Sequence, residues 1–108
     1  MNIMDQKSID SLVGIGWRYS RDMGWKHYQS RDRIVTAVLL IVAPQCIISG
    51  GSRMPHKLGG MISRSIPMNR NYLSYQIGSL AFRFKVYEEE RMCIQTLRDE
   101  MLRSSCLF

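Results

Sequence analysis

The sequence predicts a mostly helical chain with one marginal transmembrane helix at about residues 34–52, an amphipathic C-terminal helix, and no large globule able to stand alone. Three observations lead there. The chain has 108 residues, room for one domain or for one or two membrane-crossing helices with short flanks. Residues 34–52 read IVTAVLLIVAPQCIISGGS, a stretch without a charge between Arg33 and Arg53. Val86, Cys93, Ile94, Leu97 and Met101 recur at helical separations, giving a C-terminal helix an apolar stripe that needs cover.

Residues 1–33 form a basic and aromatic segment. Ser8 can cap a short amphipathic helix over residues 8–15 that places Ile9, Leu12 and Val13 on one face, with Gly14 and Gly16 weakening it. GWRYSRD at 16–22 is echoed by GWKHYQSRD at 24–32, two unequal copies and too few for a repeat protein. Trp17, Tyr19, Trp25 and Tyr28 are interleaved with cations that include Arg31 and Arg33. Rings of this kind anchor at headgroup level while guanidinium groups reach phosphate, so all six are expected to set membrane depth. The same mixture suits RNA, with bases stacking on rings.

The run at 34–52 comes close to the roughly 20 residues that cross a bilayer as a helix. Pro44, Gln45, Gly50 and Gly51 weaken it, leaving Ile34–Ala43 and Cys46–Ile48 as its strongly apolar parts. A buried helix or strand of a soluble domain is the other reading.

Residues 53–70 are rich in Gly and Pro and read as an extended basic loop, with Arg53, Lys57, Arg64 and Arg70 meeting an anionic surface. Residues 71–108 are the C-terminal helical segment. A helix over 71–82 leads into a second over Val86–Arg103, whose early Glu88, Glu89 and Glu90 and late Arg103 complement the helix dipole. Val86, Ile94, Leu97 and Met101 are the expected docking stripe for a partner.

Lys and Arg total 15 against 9 Asp and Glu, a net charge of +6, with an isoelectric point near 9.6. Such a surface favours lipid headgroups, phosphate or an acidic protein. No residue set converges on catalysis. Consecutive glutamates on a helix point about 100° apart, so Glu88–Glu90 cannot share one proton or ion. His27 and His56 are distant, and Cys46, Cys93 and Cys106 lack the short paired spacing of zinc sites or a disulfide framework. The glycine pairs at 50–51 and 59–60 lack the Lys and Ser or Thr of a phosphate loop. No catalytic residue, metal, cofactor or small-molecule substrate is therefore expected. Asp5 and Asp10 do not suit a matrix presequence, and no cleavable secretory signal is evident.

The order Trp25, Arg31, Gln45, Gly50 followed by Gly78, Ala81, Arg83 and Leu97 is similar to the two-helix domain of ovarian carcinoma immunoreactive antigen proteins. That resemblance implies a mitochondrial or endosomal membrane, although the connecting loop here is longer and the second apolar helix poorer. The expected function is a non-catalytic, membrane-embedded accessory subunit of a larger complex, a respiratory assembly of the mitochondrial inner membrane being the expected setting. Its partners would be protein subunits and lipid headgroups. The alternative is a soluble basic module that binds RNA, associated with a ribosome or acting as a viral accessory factor.

Overall fold

In the computed structural model the described residues are 5–49, 54, 55 and 57–105, the side chain of Arg70 excepted. Helix α1 (Gln6–Met23) starts where the Asp5 carboxylate accepts the Ser8 backbone N–H at 2.8 Å, satisfying one amide that a helix start leaves open. Bonding from Ser8, its side chain first and its backbone second, holds the Asp5 carboxyl below the usual carboxylate range. The helix is longer than expected at both ends and runs through both glycines. Gly16 lies where α1 crosses two neighbours: a Cβ there would sit 2.8 Å from Met101 Cε and 2.9 Å from Ile34 Cγ1. Gly24 ends the helix in the left-handed region at φ 73°, its N–H donating to Arg21 O and that of Trp25 to Ser20 O. The near-duplicated halves thus become the end of one helix and the start of the next.

Helix α2 (His27–Val42) carries the apolar run, and α3 (Gln45–Ile48) follows after a bend at Ala43 and Pro44. Proline disfavours helical backbone in the residue before it, which breaks the run into two pieces. Every residue from Ile34 to Leu40 is buried, as are Ala43, Cys46 and Ile47. A helix apolar on all sides can lie in lipid or in the middle of a protein. Here α1, α3, α5 and α6 all pack on α2, and protein takes the place that lipid was expected to fill. The transmembrane expectation for 34–52 is corrected accordingly. No helix among the described residues is long and apolar enough to cross a membrane; residues 50–52 lie outside the described part. Burial also pushes the Cys46 thiol pKa up.

Within the expected loop lies a further helix, α4 (Leu58–Ser65), which buries Leu58, Met61 and Ile62. It is tied to α1 through Gln6, whose Nε2 donates to Met61 O at 3.0 Å and whose Oε1 accepts Arg64 Nε at 2.9 Å. Helix α5 (Arg70–Val86) is capped by the Asn69 side chain, which accepts the N–H groups of Asn71 and Tyr72. Tyr87 alone separates it from α6 (Glu88–Ser104), and Arg91 Nη1 donates to Lys85 O at 3.0 Å across that corner.

Ile94, Leu97 and Met101 do form one stripe of α6, but they are buried inside this chain. Helices α1 and α2 cover them, so the stripe expected to dock on a partner has its partner already; only Val86 of that set is exposed. The Cα radius of gyration, 12.5 Å, matches the roughly 13 Å of a folded chain of this length.

Candidate functional site

Three consecutive residues on the first turns of α2 hold that helix to the rest of the protein. The Arg33 guanidinium lies 4.4 Å from the Trp25 ring centroid and grips Glu90 of α6 with two nitrogens, Nε at 3.0 Å from both oxygens and Nη2 at 2.7 Å. That bond raises the Arg33 pKa above its ordinary value. Asp32 accepts Arg83 Nη1 of α5 at 3.2 Å and Arg31 Nε at 3.4 Å. Arg31 in turn lies over the Tyr72 ring at 5.4 Å and donates to its hydroxyl at 3.3 Å. Tyr19 meets Trp25 edge-on, with centroids 5.5 Å apart. Tyr19, Trp25, Arg31 and Arg33, expected to anchor at headgroups, are thus engaged within the chain. Asp32 and Glu90 complete the network, and no spacing in the sequence ties either to these arginines.

A cleft of about 310 Å³ opens beside this network, with Tyr28 and Tyr87 at its sides and Asp32, Arg83 and Glu90 among its lining. Asp32 is paired with Arg83 and Glu90 with Arg33, so most of its charge is already neutralised. Tyr28 is exposed.

Helix α5 has a different character. Its inward face buries Leu73, Ile77, Leu80 and Ala81, while the opposite face leaves Tyr75 85%, Phe82 57% and Val86 51% exposed. Gly78 lies between these side chains, and nothing is found within 4 Å of where its Cβ would be. Phe82 meets Tyr87 edge-on at 6.3 Å, extending the apolar surface to the start of α6.

The last turns of α1 and the start of α2 form a third surface. Trp17 stacks on His27, with centroids 5.2 Å apart and planes inclined by 17°. His27 is exposed, as are Arg18, Arg21 and Lys26, and none of these three cations makes an ion pair among the described residues. Of the four cations expected to meet an anionic surface, Lys57 and Arg64 are exposed, with Arg64 drawn to Gln6. Arg53 and the Arg70 side chain lie outside the described residues.

Compared with family models, curated proteins and solved structures, this chain matches none. The residue pattern it shares with ovarian carcinoma immunoreactive antigen proteins therefore assigns no family.

Proposed function

We propose that this chain is a non-catalytic accessory subunit that docks onto a protein partner, within a larger assembly, through the outward face of α5. The observation that carries this reading is the line of Tyr75, Phe82 and Val86 left exposed on a helix whose other face is buried. Positions 75, 78, 79, 82 and 86 follow the spacing by which one helix meets another, and Gly78 lets a partner backbone come close. The occupant best suited is an apolar helix of another protein with a carboxylate at its rim. Lys85, exposed beside Val86, has no ion pair among the described residues and would meet that carboxylate.

An accessory role does not depend on embedding. The expected membrane setting rests on the run from Ile34, of which Ile34 to Leu40, Ala43, Cys46 and Ile47 line the interior while Ile48 is exposed, and a mitochondrial inner-membrane assembly would be met at its protein surface. Carbonate extraction of membranes reads this directly: release into the supernatant agrees, and retention in the pellet contradicts it.

Velocity sedimentation of native extracts tests the docking. The wild-type chain should travel with a large complex, and Tyr75→Asp with Phe82→Asp should return it to the top of the gradient while its circular dichroism stays helical. Loss of each central aromatic contact should cost on the order of 2 kcal/mol. A variant that still co-sediments, or a wild-type chain found alone, would overturn the proposal. A purified chain that dimerises through this face would replace the partner protein with a second copy.

A further inference from the structure

We infer that the corner where α1 meets α2 is a binding site for single-stranded nucleic acid, separate from the α5 face. The central feature is the Trp17–His27 stack, nearly parallel at 17° with centroids 5.2 Å apart. Trp17 is half-buried against the core, and His27 is exposed. A ring pair fixed on one side and open on the other is a platform on which an unpaired base can continue the stack. Arg21 lies one helical turn beyond Trp17, on the same side of α1. Gly14 lies about one turn before it, and around its missing Cβ there is nothing within 4 Å, so the approach along the helix is clear.

The cations complete the site. Arg18, Arg21 and Lys26 are exposed and unpaired among the described residues. By contrast, Arg31, Arg33 and Arg83 are spent on Asp32 and Glu90. One carboxylate, Asp22, is exposed beside them, leaving a local excess of positive charge at the platform. Lys26 directly precedes His27 in the chain, and its backbone N–H donates to Gln29 Oε1 at 3.3 Å at the start of α2.

Two features favour a nucleic-acid strand over a lipid surface. Ile9, Leu12, Val13 and Ile15 of α1 are buried in the core, and Met23 at its end is the one large aliphatic side chain that the helix leaves exposed, too little apolar surface to insert beneath headgroups. The open platform is aromatic, and stacking adds to affinity only when the ligand brings a flat base. A duplex keeps its bases stacked on each other, which makes an unpaired strand the preferred ligand.

The test uses the purified full-length chain and a fluorescein-labelled 12-nucleotide single-stranded RNA of mixed sequence, followed by anisotropy between 50 and 300 mM salt. Saturable binding is expected, with a log–log salt slope of about −2 from three phosphate contacts. His27→Ala should weaken binding about fivefold or more at every salt concentration and leave the slope unchanged. Arg18→Gln with Arg21→Gln should weaken it and flatten the slope. Because both arginines and His27 are exposed, helicity by circular dichroism should be retained in all variants. Tyr75→Asp, on the α5 face, should bind RNA as the wild type does, which keeps this result distinct from the docking test. Absence of saturable binding at 50 mM salt, a His27→Ala protein that binds as wild type, or tighter binding to vesicles of phosphatidylglycerol and phosphatidylcholine than to RNA would each overturn the inference.

Discussion

Helices α2 and α5 are of similar length and both carry apolar residues around much of their circumference, yet the protein treats them in opposite ways. Around α2 other helices close on every side, so Ile34 to Leu40 disappear without interruption. Around α5 they close on one side, leaving Tyr75, Phe82 and Val86 outside. An apolar run therefore states only that water must be excluded. What excludes it is decided by the amphipathic neighbours: α1 and α6 each offer a stripe that fits α2 and a polar back that faces solvent. The face of α5 has no such neighbour among the described residues, and that difference is the basis for placing the docking surface there.

The sharpest way to break this comparison is to put the same charge on both helices. Leu39→Arg buries an unpaired cation and should cost about 4 kcal/mol or more, enough to unfold a small domain. Phe82→Arg should leave the thermal midpoint within a few degrees of wild type. Equal effects in thermal denaturation would mean that α2 is not interior or that α5 is not free.

The next effect concerns what fixes α2 in place. Glu90→Ala strands Arg33, which is mostly covered and bonded by two nitrogens to that carboxylate, and should lower stability by about 1.5–3 kcal/mol in urea unfolding. Removing Arg98, whose partner Asp99 is largely exposed, should change it by less than about 0.5 kcal/mol.

Much of this architecture can be read from the sequence, and the parts that cannot have physical reasons. Spacing alone locates α6 and its buried stripe, because apolar residues at helical separations require an apolar neighbour wherever it comes from. It does not say that the neighbour is α1, since that depends on a contact between residues as far apart as Gly16 and Met101. The length of α1 was hidden by its two glycines, which lower helix propensity in the same way although only one is there for packing. Helix α4 was hidden by Gly59, Gly60 and the prolines around it. Aromatic and basic residues at 17–33 were legible as a functional mixture, but not how they divide. Arg33 finds the Glu90 carboxylate on α6, and Arg31 finds the neighbouring Asp32 and the Tyr72 ring of α5, whereas Arg18, Arg21 and Lys26 pair with no carboxylate among the described residues.

The two glycines sharpen the same distinction between covered and open positions at smaller magnitude. Gly16→Val forces a side chain against Ile34 and Met101 and should cost about 1–3 kcal/mol. Gly14→Ala enters open space and should gain up to about 1 kcal/mol from helix propensity. Opposite shifts of the urea midpoint are expected from two substitutions two residues apart on the same element.

The smallest expected effect is on pH dependence. Because the Asp5 carboxyl titrates lower in the folded chain than in the unfolded one, its contribution is present above the ordinary carboxylate pKa of about 4. It is lost as pH falls through the folded value. Asp5→Asn keeps an amide oxygen to cap α1 and should flatten the acid limb of the stability curve, as measured by urea unfolding at successive pH values.

Native-state hydrogen exchange of the purified chain in detergent-free buffer tests most directly the claim that the apolar run is satisfied inside this protein. The amides of residues 38–42 should be among the slowest to exchange and should report the global unfolding free energy, with the N-terminal turn of α5 opening more readily. A chain that stays folded only in detergent, or whose α2 amides exchange as fast as those at the exposed helix ends, would contradict it.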